Sequence, residues 1–202
     1  MLADGYMPKQ RELTFEDMDE YAAALFVRWL YGGELHGPSD FHSFQHYLAL
    51  YVLSQQFEVE ALANNGKFIT RLRCIIYTDS LCQVMDLCRT YYRIHSMTAP
   101  AYRIEYIYAF TTGPNRMRNF LVTTAAFRCL CEAPASPEEY ISSSMKDLVT
   151  KGGDIGTDFA ESLIKLSKNG IVDVRRGPDC VWHVHTDGKF CANQPAEAYV
   201  DV

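Results

Sequence analysis

The chain has no stretch that approaches the ~20 apolar residues needed to span a bilayer, because Arg, Asp or Glu interrupts every apolar run. A membrane-embedded protein is therefore not expected. It has no basic run longer than a pair, Arg175-Arg176 being the densest, and it carries a formal net charge of -6 with a pI near 5.5. Such a surface repels phosphates on average, which disfavours nucleic acid as a partner. The opening residues Met1-Leu2-Ala3-Asp4-Gly5 lack the basic flank and apolar stretch of a secretory signal. The seven cysteines are odd in number and lack the short, regular spacing of a disulfide scaffold. These absences point to an intracellular protein, cytoplasmic or nuclear.

Catalytic motifs are missing as well. There is no G-x-G-x-x-G, no P-loop and no G-x-S-x-G nucleophile elbow. Gly152-Gly153-Asp154-Ile155-Gly156 is the most glycine-dense stretch, but it lies between two helical patterns and reads as a helix stop. Ser142-Ser143-Ser144 has no nominated base and falls within an expected helix. Cys129 and Cys131 are two apart on a helical pattern, so their sulfurs point to different faces and read as core thiols. No catalytic and no cofactor-binding residue is nominated, and an enzyme is not expected.

What is present is apolar patterning at helical spacing. Hydrophobic residues make up 48% of the chain and aromatics 13%, enough for a packed core. Asp17-Met18-Asp19-Glu20 reads as a capping box with Asp17 as the cap, followed by Ala22, Leu25, Phe26, Trp29 and Leu30 on one face. Trp29 and Tyr31 read as core or turn residues. Ser39-Asp40 opens a second helix, with a third expected near residues 59–76 and a fourth after Asp79-Ser80. Further helices are expected over 99–111 and 115–131. Ser136-Pro137-Glu138-Glu139 then starts a helix that Gly152-Gly153 stops, and Thr157-Asp158 starts a last one that Asn169-Gly170 ends. Arg11–Thr14 is short enough for one edge strand, and Ile171-Val172-Asp173-Val174 alternates like a strand.

Two groups of metal-ligand residue types stand out. His42 and His46 have i, i+4 spacing with His36 nearby, but two ligands rarely make a site, so solvent-facing or capping roles are expected. Cys180, His183, His185 and Cys191 place four ligands within twelve positions, and Asp187-Gly188 supplies a turn between them. On an extended strand the two histidines share a side. A tetrahedral zinc would suit this set. The spacing matches no common zinc module, so an unstructured or strand-like tail stays open beside the metal reading.

Leu25-Phe26-Val27-Arg28-Trp29-Leu30-Tyr31-Gly32-Gly33-Glu34-Leu35, behind Leu13 and Asp17-Met18-Asp19, resembles the BTB/POZ segment that ends in a WLYTGEL-like turn. Leu48–Phe57 resembles its next helix, and Ile104–Thr111 with Arg116-Met117-Arg118 resembles a stretch downstream of the domain in many fungal BTB proteins. The resemblance implies a mainly α fold: the C-terminal helical half of a BTB/POZ (α+β) domain at 1–70, a helical extension at 71–170, and a short irregular, polar Cys/His tail at 171–202. It also implies a protein-binding scaffold or adaptor, of the kind that can serve cullin-type ubiquitin ligases. The strands and helices that open a BTB domain have no counterpart here. A homodimer is therefore expected only where that N-terminal part is present, and the apolar stripes of 11–70 are expected to lack part of their cover. The alternative function is a zinc-dependent protein working through the Cys/His set.

Overall fold

The computed structural model describes residues 18–31, 34–60, 83–132, 139–176 and 182. Among the described residues the chain forms seven α-helices and no strand, so the fold is mainly α. The Arg11–Thr14 strand and most of the helix expected near 59–76 lie outside the described residues.

Helix α1 (Glu20–Leu30) is capped by Asp19, whose Oδ1 accepts from Ala22 N at 2.8 Å. The cap is thus Asp19 rather than Asp17, and Glu20 is already the first helical residue. Helix α2 (Ser43–Glu60) starts later than Ser39-Asp40. Those two residues form a knot ahead of it: Ser43 N donates to Asp40 Oδ1 at 2.7 Å, and Ser39 N and Asp40 N both donate to Ser43 Oγ at 3.0 Å. The Ser43 backbone N–H holds the Asp40 carboxyl below the ordinary carboxylate range.

Phe44, Tyr47, Leu48, Leu50, Tyr51, Val52 and Leu53 of α2 are all buried. They occupy every side of the helix, as expected of one enclosed by neighbours. The expected bare stripe on this segment is absent. Helix α1 packs on one side of α2 and α4 (Ala101–Phe110) on another. Helix α3 (residues 83–94) brings Tyr91 and Tyr92 against Phe44, with ring centroids 5.5 and 4.8 Å away.

Helix α5 (Arg116–Cys131) runs through the centre, buried without a break from Phe120 to Ala126. Asn115 caps it, accepting from Met117 N at 2.9 Å and Arg118 N at 3.2 Å. Helices α6 (Ser143–Thr150) and α7 (Asp154–Lys168) form a hairpin on its far side. The turn between them needs Gly152 and Gly153, at φ +77 and +72, a region that L side chains rarely adopt.

Two helix starts differ from expectation. Residues 139–142 are not helical, so α6 begins at Ser143 and not at the Ser136-Pro137-Glu138-Glu139 signature. Helix α7 begins at Asp154, three residues before Thr157, because the glycine turn releases the chain straight into it. Beyond Gly170 no strand forms at Ile171–Val174. Val174 is instead buried against the helices, and Arg175 Nη1 reaches back to Met97 O at 2.8 Å. Asp173 clamps Arg175 at 2.7 Å. Burial raises the Asp173 carboxyl, but the bonds from Arg175 outweigh that and hold it below its ordinary range.

Arg103 of α4 is fully buried. Its guanidinium lies 4.2 Å from the ring centroids of both Phe41 and Phe44. Nη2 donates to Phe41 O at 2.6 Å and Nη1 to Tyr92 Oη at 3.2 Å. Aromatic faces and a carbonyl stabilise the cation in place of a carboxylate. Burial outweighs the nearby arginine and pushes both the Cys88 thiol and the Tyr92 phenol well up, so both stay protonated.

Candidate functional site

Helix α1 divides its side chains sharply. Ala22 and Phe26 are buried, and Leu25 and Trp29 pack against the core. At about 3.6 residues per turn, Glu20, Ala24, Val27 and Tyr31 stack along the opposite side, flanked by Tyr21, Arg28 and Leu30. Tyr31 is 88% exposed, Tyr21 68%, Val27 50% and Leu30 47%. Val27 and Tyr31 thus share the outward face, with Tyr21 and Leu30 on its two opposite flanks, whereas single exposed apolar groups are commonplace. Trp29 takes the core role expected of it; Tyr31, the C-cap, stands in water.

The face is held in place from below. His46 of α2 pairs through Nδ1 with Asp19 Oδ2 at 2.8 Å, and its ring lies 4.7 Å from that of Tyr21. Asp19 therefore both caps α1 and ties it to α2. Arg28 Nη2 meets His36 Nε2 at 3.2 Å. The two histidines act as tethers for α1. Among the described residues no three His, Cys, Asp or Glu side chains are grouped so as to hold a metal.

A second feature is a polar cleft of about 760 Å³ between α2, the start of α5, and α7. Asn115 joins its walls, accepting from Tyr51 Oη at 3.2 Å and donating to Gln55 Oε1 at 3.0 Å. Arg118 is buried beside it and donates to Thr111 Oγ1 at 2.8 Å, Tyr108 O at 3.1 Å and the Thr111 carbonyl. Its Nη1 lies 3.4 Å from the exposed Asp154 carboxylate. Tyr108 Oη donates to Asp158, and burial together with this bond raises the phenol far above its usual range. Arg118 with Asp154 and Tyr108 with Asp158 are thus engaged with each other. Chemically the arrangement joins α4, α5 and α7.

A smaller cavity of about 290 Å³ contains Cys129 and Ser142–Ser144. Burial pushes the Cys129 thiol up, which disfavours the reactive thiolate. Cys131 is exposed, both thiols are free, and Ser142 occupies the N-cap of α6.

Cys180, His183, His185 and Cys191, the expected zinc ligands, lie outside the described residues. Trp182, which stands among them in sequence, is described. It is buried, its ring centroid 5.5 Å from Phe120 in an edge-on contact and 5.8 Å from the Arg89 guanidinium. Sequence reasoning missed Arg103, Arg118 and Trp182 as interior residues. The one signal available was the aromatic density around Arg103.

Compared with family models, curated proteins and solved structures, the chain matches none. No helix among the described residues is long and apolar enough to cross a membrane.

Proposed function

We propose that this chain is a non-catalytic protein-interaction module of the BTB/POZ type, a scaffold or adaptor, and that the outer face of α1 is its working surface. The observation that carries the reading is the outward apolar face formed by Tyr21, Val27, Leu30 and Tyr31. Apolar faces of this kind mark protein partners, because covering them releases the water they order. Two further points support it. The residues that form the face belong to the stretch that resembles BTB/POZ proteins, and Asn115, Gln55 and Arg118 of the large cleft are engaged in holding helices together.

The experiment compares the tagged full chain with its Val27→Glu/Tyr31→Glu variant, both expressed in cells. Both substitutions sit on exposed positions, so far-ultraviolet circular dichroism should be unchanged. The proteins recovered with the wild type should be lost from the variant. An unchanged set of recovered proteins would overturn the assignment of the surface.

A further inference from the structure

The polar cleft between α2, α5 and α7 keeps hydrogen-bonding groups that hold no helix in place. Its two amides have committed their oxygens and kept their nitrogens. Gln55 Oε1 accepts from Asn115 at 3.0 Å. Asn119 Oδ1 accepts from Thr123 Oγ1 at 3.1 Å, and Thr123 accepts in turn from Ser162 Oγ at 3.3 Å. Gln55 Nε2 and Asn119 Nδ2 are left as donors without a partner among the described residues. The exposed Arg116, at the start of α5, adds a guanidinium to the same side. On the α7 side stand oxygens. Asp154 and Asp158 each engage one carboxylate oxygen, with Arg118 and Tyr108, and keep the other, while Glu161 keeps both. The charges lining the cleft cancel, Arg116, Arg118 and Lys165 against Asp154, Asp158 and Glu161.

We propose that this cleft is a binding site for a neutral, polyhydroxylated ligand of the saccharide class. An anion drawn to Arg116 or Lys165 meets the carboxylates of α7, and a cation drawn to Glu161 meets Arg116 and Lys165, so neither kind of ion is favoured. Walls of opposite hydrogen-bonding sense suit a neutral group that accepts on one side and donates on the other, which is the property of a hydroxyl. The cleft of about 760 Å³ falls within the roughly 300–1,000 Å³ of ordinary ligand pockets, room for several hydroxyls on one rigid frame. Those hydroxyls accept from Gln55 Nε2, Asn119 Nδ2 and Arg116, and they donate to Asp158 and Glu161. The bonds to the two amide oxygens fix how the amides are turned, so little freedom is lost when the ligand arrives. The bonds gained replace bonds to water, which sets the affinity on the order of 1 mM. None of the described residues lining the cleft belongs to α1, so the site is independent of the surface proposed above.

Titration of the isotope-labelled full chain with glucose, maltose, cellobiose and trehalose, followed through its side-chain amide signals by nuclear magnetic resonance, tests this. At least one of these sugars should shift the Gln55 and Asn119 amide signals saturably. Glucuronate and glucosamine, which carry a charge of either sign, should bind about tenfold more weakly than the best neutral sugar. Arg116→Ala/Glu161→Ala removes one exposed group from each wall. It should leave the circular dichroism unchanged and weaken sugar binding about tenfold. A free sugar and the end of a longer glycan present the same hydroxyls, and the methyl glycoside of the sugar that binds separates them. Undiminished affinity for the glycoside marks a chain end, and a loss marks a free sugar. If no sugar of the set shifts either amide, the proposal is overturned. Binding by glucuronate or glucosamine alone overturns it too, as does sugar binding that the double variant leaves unchanged.

Discussion

Helices α1 and α2 follow one another in the chain, pack on each other and are both rich in apolar residues, yet they place those residues differently. In α2 the apolar side chains point in every direction and neighbouring helices enclose nearly all of them. In α1 the same residue types are split, Phe26 and Ala22 inward, Val27 and Tyr31 outward. An apolar residue is therefore not core by identity. It stabilises the fold where a neighbour covers it, and where none does it stays available for association. The resemblance to BTB proteins led us to expect bare apolar surface over this whole segment, whereas among its described residues the exposed large apolar side chains are Tyr21, Val27, Leu30 and Tyr31 of α1 and Phe41 ahead of α2.

The comparison can be broken most forcefully at the centre of α2. Leu48 is fully buried, and Leu48→Ala should cost about 2–5 kcal/mol, the range for losing a leucine side chain in a packed core. Val27→Ala on α1 should change stability by no more than about 0.5 kcal/mol. Urea denaturation of both, followed by circular dichroism, measures the contrast. Equal losses would mean that the outer face of α1 is covered after all.

A middle-sized effect is expected at Asn115, where one side chain caps α5 and bridges Tyr51 to Gln55. Asn115→Ala should cost about 1–2 kcal/mol, a cap plus the partners it leaves unpaired. Asn115→Asp keeps the cap acceptor but loses the amide donor to Gln55, and should recover more than half of the loss. If the two variants unfold at the same urea concentration, the bridge rather than the cap carries the effect.

The smallest effect concerns the chain after α7. Asp173 has a folded-state pKa below its ordinary value of 3.8, so it favours the folded state above that pH. The contribution disappears as pH falls through the folded-state pKa, where both states are protonated. Asp173→Asn should therefore be less stable than wild type at neutral pH, and the gap should close as the pH falls below about 4. A gap that stays constant down to pH 2 would show that Asp173 acts through its shape and not its charge.

Much of the helical layout is legible from short-range signals. Gly152-Gly153 as a stop and Asn169-Gly170 as an end are local backbone matters, and the structure places them where the residues point. Helix starts were less legible. Ser136-Pro137-Glu138-Glu139 has the composition of an N-terminus, but a capping pattern states only what a helix would accept there, and the chain enters α6 at Ser143. Asp17 and Asp19 are equivalent as sequence, and the distant His46 favours Asp19 by bonding its second oxygen.

The outer face of α1 was hidden for a related reason. Leu30 reads as part of the inward stripe and Trp29 and Tyr31 as core or turn, and only the position of α2 decides which of them turn inward; Tyr31 takes the turn place, as the C-cap. The buried arginines were the least legible. Arginine is ordinarily a surface residue, and Arg103 becomes an interior one through Phe41 and Phe44, about sixty residues away in the chain.

Trp182 has a practical consequence. The chain contains two tryptophans, one half-buried on α1 and one buried against Phe120 of α5. Each reports a different contact: Trp29 lies beneath the outer face of α1, and Trp182 lies against Phe120. They work as native optical probes of two separate events. With Trp29→Phe the emission reports only the seating of Trp182 on Phe120, and a red shift marks the moment it lifts off. With Trp182→Phe it reports only the seating of α1 on α2. The two single-tryptophan proteins, unfolded side by side, would show whether α1 and Trp182 let go together or in turn.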